Sequence, residues 1–318
     1  MNSKVIFFIL SMVILSCKNR EDLTKIESKV SNNFDQYITI LGIAQDGGYP
    51  HIDNTHEFKG VKEGKFSKEL VVSLGIIDQQ KKKKFLIEAT PDLPEQLAML
   101  DFGHLRHDVI IDGIFLTHAH IGHYTGLMHF GREAMGSKGI NVFAMPKMKS
   151  FLENNGPWSQ LIDLENIKVN SLENDIPVDI TENIRITPFL VPHRDEFSET
   201  VGYQINGKTK SALFIPDINK WSLWKKNIVD EVKKVDYAFI DATFFRDGEI
   251  PRPMSEVPHP FIQETIDLFK DESKETKSKI IFIHFNHSNP LIQKKNKERI
   301  QLEKEGYRFA NTEDIFPL

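Results

Sequence analysis

The chain has 318 residues, 40% of them apolar, and a formal net charge of -5, which suits a soluble globular protein of one large or two ordinary domains. Positive charge is dispersed. The only basic run, Lys81 to Lys84, lies between two strand-like segments and reads as a solvated hairpin loop, so no nucleic-acid partner is expected. Cys17 is the single cysteine, which rules out an intrachain disulfide, an iron–sulfur cluster and a cysteine-rich zinc site.

The first residues predict export. Lys4 precedes an apolar run from Val5 to Ser16, too short to span a bilayer comfortably but suited to the core of a signal peptide. Ile14-Leu15-Ser16-Cys17 resembles the lipobox of bacterial lipoproteins. The reading is a signal peptide over 1–16, lipidation of Cys17, a polar tether over 17–36 and a single domain over 37–318. It puts the mature protein in the cell envelope, held to a membrane by an N-terminal lipid anchor. With its thiol capped, the mature chain offers no thiolate nucleophile, and any metal must be held by His, Asp and Glu.

Tyr37 to Ala44 reads as a first strand running into the glycine-rich turn Gln45-Asp46-Gly47-Gly48. The stretch from His51 to Phe66 has no clear periodicity. Leu70 to Asp78 and Lys84 to Ala89 form a predicted hairpin, and Leu93 to Leu100 has a helical pattern. The apolar run Val109 to Leu116 leads into Thr117-His118-Ala119-His120-Ile121-Gly122-His123, with a helix expected from about Gly126 to Met135. A strand at Asn141 to Met145 and a helix at Pro146 to Asn155 follow, then strands at Ile167 to Leu172 and Ile184 to Val191. Tyr203 to Asn206 and Ser211 to Ile215 pair as a hairpin, Trp221 to Lys234 is amphipathic and helical, and Tyr237 to Asp241 is an apolar strand. Pro260 to Phe269 is a predicted helix and Lys279 to Ile283 a final strand. Strands and helices mix without a fixed period, which predicts one α/β domain with mixed sheets.

One pattern recurs. Apolar strands end in a potential ligand: Leu116 leads to His118, Val191 to His193, Ile215 to Asp217, Ile240 to Asp241 and Ile283 to His284. Strand ends along one edge of packed sheets converge in space while remaining distant in sequence. Neutral imidazole is the commonest protein metal ligand, so the pattern predicts a His/Asp metal site.

On these residues the sequence resembles the metallo-β-lactamase fold hydrolases over nearly the whole mature chain. Thr117 to His123 matches their His-x-His-x-Asp-His motif except at Gly122, where the motif has Asp. Leu41 to Pro50, Asp241 to Phe244, Met254 to Pro260 and Ile283 to Pro290 resemble the branch that contains the pyrroloquinoline quinone biosynthesis protein B. The resemblance implies a four-layer αβ/βα sandwich with the site at one edge of two sheets. It also implies that His118, His120 and His193 hold a first metal, and that Asp217 bridges to a second shared with His123 and His284. Zinc is the expected ion, with iron or manganese as alternatives.

Gly122 removes one ligand of the second metal, so a tight first site and a weaker second one are expected. Asp46, Glu88 and Asp92 are the candidates to replace the carboxylate, Asp46 first. On the missing carboxylate alone, Gly122→Asp would raise affinity for the second metal. His259, before a helix in Val257-Pro258-His259-Pro260, is the expected proton donor to a leaving group, with Asp217 and Asp46 as the other catalytic candidates. His287 is a candidate for holding the Asn286 to Asn289 turn. His51, His56, His104, His107 and His129 are read as surface or structural. Trp158, Phe244 and Phe245 suit either an apolar pocket or the core.

The expected activity is metal-dependent hydrolysis of an ester, lactone, amide or phosphodiester in a small-molecule substrate. The alternatives are an iron-dependent hydroxylation like that implied for the biosynthetic branch and a non-catalytic metal- or ligand-binding lipoprotein. The biosynthetic proteins tend to lose the first two motif histidines and to carry cysteines after the glycine-rich turn. This chain keeps the histidines and has Asp53-Asn54-Thr55-His56 instead.

Overall fold

The structure, a computed structural model, describes residues 34–106 and 108–318. The signal peptide, Cys17, nearly all of the tether and His107 lie outside the described residues. Among the described residues fourteen strands build the domain. They are β1 (Gln36–Gly42), β2 (Ser73–Asp78), β3 (Lys83–Ile87), β4 (Gly113–Phe115), β5 (Ile140–Ala144), β6 (Ile167–Ser171) and β7 (Val178–Asp179). Then come β8 (Arg185–Leu190), β9 (Val201–Asn206), β10 (Ser211–Ile215), β11 (Tyr237–Asp241), β12 (Ile280–Ile283), β13 (Arg308–Phe309) and β14 (Ile315–Pro317). One seven-stranded sheet runs β14-β1-β2-β3-β4-β5-β6 and the other β13-β12-β11-β10-β9-β8-β7. Both are mixed: β1 to β3 pair antiparallel and β3 to β6 parallel, while β7 to β10 pair antiparallel and β10 to β13 parallel.

Strands β1, β2 and β4 of the first sheet are buried along their whole length because both faces are covered. Successive side chains point to opposite faces, so Ile38, Ile40, Leu74, Ile76, Phe85, Ile87 and Phe115 enter the core shared with the second sheet. Tyr37, Leu41, Ile77, Leu86 and Ile114 face the other way, into a second core closed by the helices Leu93–Gly103 and Pro146–Asn154. On the second sheet Phe239, Ile281 and Phe282 share the first core with Ile228, Val232, Ile262 and Phe269 of the helices Ile228–Lys233 and Ile262–Phe269. Two packed sheets flanked by helices form the expected αβ/βα sandwich. Among the described residues no helix is long and apolar enough to cross a membrane.

Several elements differ from expectation. The strand leading into the histidines is only Gly113–Phe115, and the helix after it starts earlier, as Ile121–Tyr124 continuing into a tight 3-10 segment Thr125–Phe130. Tertiary contact overrides the local pattern here: His123 O accepts from Ala89 N and Ala89 O from Gly126 N, both at 2.9 Å, so this segment is fastened to the end of β3. Trp221 to Lys234 is a 3-10 turn, Trp221–Leu223, and a separate helix capped by Asn227, which accepts from Val229 N and Asp230 N. The aperiodic stretch after His51 contains a helix, Thr55–Lys62, whose cap Asn54 accepts from Glu57 N.

Two ties, one from a side chain and one between backbones, register the sheets at the edge that matters. Tyr203 Oη donates to the carbonyl of Leu116, joining β9 to the histidine loop. The chain leaving β1 bridges the chain leaving β12: Phe285 N donates to Ile43 O and Gln45 N to Phe285 O, each at 2.8 Å.

Candidate metal centre

The edge joined by those ties brings together all six predicted ligands, with Asp46. Donor atoms of His118, His120, His193 and Asp217 lie within 4.8 Å of one another, as do those of Asp46, His123 and His284. Each arrives on an element end: His118 and His120 after β4, His193 after β8, Asp217 after β10, His284 after β12, Asp46 in the turn after β1, and His123 in the short helix. Cores on both sides hold these ends, so the positions are set by sheet packing rather than by loop conformation.

The outer partners fix the tautomers. Thr117 Oγ1 gives its one proton to Glu88 Oε1 at 2.6 Å, so it can only accept from His118 Nδ1 at 2.8 Å. Thr243 Oγ1 likewise donates to Asp241 Oδ1 at 2.7 Å and accepts from His284 Nδ1 at 3.0 Å. His193 Nδ1 lies 3.2 Å from Asn219 Oδ1, and His123 Nδ1 lies 3.1 Å from Glu88 Oε1. Three rings, His118, His193 and His284, therefore carry hydrogen on Nδ1 and present a bare Nε2, while His123 sets Nδ1 against the charge of Glu88. His120 is turned round, with Nε2 3.5 Å from the exposed carboxylate of Glu196 and Nδ1 facing the cluster. Such partners orient and polarise metal-ligating imidazoles.

The donors fit a cation. His118 Nε2 and His120 Nδ1 face each other at 2.8 Å, two lone pairs that repel unless something positive lies between them. Asp217 Oδ2 is 3.3 Å from His118 Nε2 and 3.2 Å from His193 Nε2, and His193 Nε2 is 3.3 Å from His120 Nδ1. Four donors ~2.0–2.1 Å from a tetrahedral ion stand about 3.4 Å apart, which these spacings approach. In the second group, Asp46 Oδ1, His123 Nε2 and His284 Nε2 are buried atoms without a hydrogen-bond partner. His123 Nε2 lies 3.5 Å from Asp46 Oδ1 and 4.0 Å from Asp217 Oδ2. Unpartnered buried polar atoms are costly and rare, and three aimed together are what an ion would satisfy.

Charge is focused accordingly. Burial would raise Asp217, but the imidazoles of His259 and His193 hold its carboxyl well below the usual range. Burial, with His123 beside it, pushes His118 well down, and burial also lowers His284. Burial alone would lower His123, but the carboxylates of Glu88, Asp46 and Asp217 push it up to about 9.

His259 stands beside the ligands. Its Nδ1 lies 2.9 Å from Asp241 Oδ2 and 3.1 Å from Asp217 Oδ1. Burial would lower this ring too, but Asp217 and Asp241 push it up to about 9. Asp241, the strand-end acid left without a role by the sequence, also accepts from Thr243 N at 2.8 Å and Ile218 N at 3.2 Å. Phe244 packs edge-on against His259 at 6.0 Å and stacks on Phe261. Phe245 belongs to the core and Trp158 packs on Tyr124, so neither lines the site.

Other expectations resolve structurally. Asp92 Oδ2 accepts from Val71 N, and Glu88 faces the outer nitrogen of His123, so neither points into the cluster. His287 pairs with Glu57 at 2.8 Å and stacks on His51 at 4.1 Å, while His56 sits edge-on to Phe66. His104 is buried between Tyr37 Oη and Thr39 Oγ1. For Gly122→Asp the structure adds a steric obstacle to the expected gain in affinity. A Cβ at Gly122 would lie 2.3 Å from Asp46 Oδ1 and 2.6 Å from Asp46 Cα, so an added side chain collides with the turn instead of completing a vacant position.

Two mixed seven-stranded sheets with His and Asp gathered at their joined edge define a metallo-β-lactamase-like sandwich. The chain belongs to the beta-lactamase superfamily domain family, whose model matches residues 83–285. It is 25% identical over 314 residues to coenzyme PQQ synthesis protein B of Gluconobacter oxydans, covering 88% of this chain and 98% of that protein. The same protein of Acinetobacter baylyi is 24% identical over 294 residues, covering 84% and 94%. Among solved structures, zinc-bound PqqB from Methylobacterium extorquens superposes with a TM-score of 0.71 at 18% identity, over 89% of this chain and all of that one. A diphosphatase of the PhnP family gives 0.57 at 19% identity, over 88% and 96%.

Proposed function

We propose that the chain is a metal-dependent hydrolase that cleaves an ester, lactone, amide or phosphodiester, exported and held to a membrane by lipid on Cys17. The observation that carries the reading is the convergence of bare imidazole nitrogens and Asp217 on one point, with a second group of unpartnered donors alongside. Zinc is the first choice for this donor set, with iron or manganese as alternatives, in one tight site and one weaker site. A divalent ion bound there would polarise the scissile carbonyl or phosphoryl oxygen and acidify water.

The chain's own residues do the rest. Asp217 reaches both donor groups with one carboxylate. His259 commits Nδ1 to Asp241 and so keeps Nε2 free to hold a proton for the leaving group. Asp241 is a positioning residue for that ring, and Phe244 shields the ring's edge from water. Glu196, half-exposed beside His120, marks the open side, where a small-molecule substrate would enter.

The near full-length match to the PQQ synthesis proteins supports a second reading, an iron-dependent oxidation in cofactor synthesis. Elemental analysis of the purified mature protein separates the readings, combined with a panel of small esters, lactones and phosphodiesters. Stoichiometric zinc with turnover abolished by His118→Ala is the expected result. Iron with oxygen consumption would favour the second reading, and metal without turnover on the panel would leave a binding lipoprotein.

A further inference from the structure

We infer that this chain has moved one metal ligand from the histidine helix to the glycine-rich turn: Asp46 supplies to the second site the carboxylate that position 122 lacks. This deepens the metal-dependent reading and rests on it.

The turn and the glycine are matched in space. Gly122 is the second residue of the short helix Ile121–Tyr124, and a Cβ there would fall 2.3 Å from Asp46 Oδ1 and 3.1 Å from Asp46 Cγ. The carboxylate of Asp46 thus fills the volume that a side chain at 122 would leave along. Its Oδ1 is buried, lacks a hydrogen-bond partner and lies 3.5 Å from the equally unpartnered Nε2 of His123. A turn-forming Asp would instead spend that oxygen on a nearby main-chain N–H. The turn is closed without it, because Gly48 N donates to Gln45 O at 2.8 Å. Gly48, at φ +68, takes the left-handed conformation that lets the chain turn back.

The backbone holds Asp46 where it is needed. The bridge between the chain after β1 and the chain after β12 pairs Ala44 with Phe285, so Asp46, two residues on from Ala44, and His284, one residue before Phe285, lie on adjacent segments. Asn286 Nδ2 donates to Gln45 Oε1, a side-chain tie over the same crossing. Asp46 and Gly122 are therefore alternatives. With Asp at 46, position 122 has no room for a side chain; with Asp at 122, the turn would have to withdraw.

The test is metal binding by the purified mature protein, read as zinc stoichiometry and stepwise affinity against a competing chelator, together with thermal unfolding. The wild type is expected to bind two equivalents. Asp46→Asn should keep the first equivalent at unchanged affinity and weaken the second by roughly tenfold or more. Gly122→Asp alone should lose thermal stability and second-site affinity, since the collision includes main chain. The double variant Asp46→Gly with Gly122→Asp should bind the second equivalent more tightly than Asp46→Gly alone.

The inference is overturned if Asp46→Asn retains second-site affinity within about twofold. It is also overturned if Gly122→Asp tightens the site without loss of stability, or if the double variant is no better than Asp46→Gly. A wild type with one equivalent sinks the inference and leaves the hydrolase reading standing; a wild type with none sinks that reading.

Discussion

Replacing Glu88 by glutamine keeps the shape of the side chain and removes its charge, which isolates how the second donor group is aligned. Glu88 is fully buried, and its two oxygens meet three donors. Thr117 Oγ1 reaches Oε1 at 2.6 Å, Thr117 N reaches Oε2 at 3.3 Å, and His123 Nδ1 lies 3.1 Å from Oε1. An amide has one acceptor oxygen. Its least harmful orientation keeps that oxygen at the Oε1 position and turns the NH2 towards Thr117 N, leaving two buried donors, Thr117 N and the NH2 itself, unpaired at a cost of about 1–3 kcal/mol each. The loss of charge behind His123 should weaken the second metal ten- to hundredfold, about 1.4–2.7 kcal/mol, with a smaller effect on the first. Urea unfolding of the metal-free protein reads the first quantity and chelator competition the second. Glu88 also holds φ +81, a conformation that costs a non-glycine residue about 1–3 kcal/mol. Glu88→Gly should thus lose the second site while relieving strain, separating alignment from stability. A Glu88→Gln protein that is as stable as wild type and binds two ions equally well would refute the reasoning.

Two further outcomes follow from the same geometry. Burial lowers His104 from 6.5 to about 4, so the unfolded chain takes up its proton first as pH falls, and stability present above pH 6.5 drains away towards pH 4. Discounted for partial solvent screening, that loss is about 1–2 kcal/mol at pH 5, so His104→Gln should destabilise less on going from pH 7.5 to 5 than wild type does by this amount; parallel losses would contradict it. Gly126→Ala places a Cβ 2.0 Å from Thr90 O and 2.9 Å from Ala89 O, main-chain atoms that cannot swing aside. It should cost about 2–3 kcal/mol, whereas Gly103→Ala, with nothing within 4 Å, should be neutral or mildly stabilising; equal melting temperatures would count against the packing described.

The candidate ligands were legible because strand ends are legible. Unbroken apolar runs stop where a sheet stops, and His118, His193, Asp217 and His284 each stand just past such a stop. The fold followed from the family resemblance more than from periodicity, since strands buried on both faces show no alternation. What stayed hidden depended on contacts between distant segments. Glu88 and Asp92 are chemically equal candidates in the sequence, and only the structure shows one behind His123 and the other on Val71 N. The supporting roles of Thr117, Thr243 and Asn219 carry no sequence signal, because a hydroxyl or amide beside a strand end is commonplace, and Asp241 was visible as a strand-end acid but not as the partner of His259. The helix expected at Gly126 to Met135 failed for a similar reason: its start is set by hydrogen bonds to Ala89, 37 positions back from Gly126. The effect of Gly122→Asp could not be read either, since the sequence shows the missing carboxylate but not the turn that occupies its place.

The bridge between Ile43, Gln45 and Phe285 is made of peptide groups alone, so it survives almost any change in the side chains along it. A position held in that way is heritable independently of the residue that happens to occupy it. Sequences descending from a common ancestor could then exchange which segment donates a given functional group while the arrangement in space stays fixed. Searches keyed to a contiguous signature such as His-x-His-x-Asp-His would score this chain as damaged, although a carboxylate, that of Asp46, stands within reach of the position the signature assigns to Asp. Recognising such proteins calls for signatures written across the sheet edge, pairing position 46 with position 122, rather than along the chain.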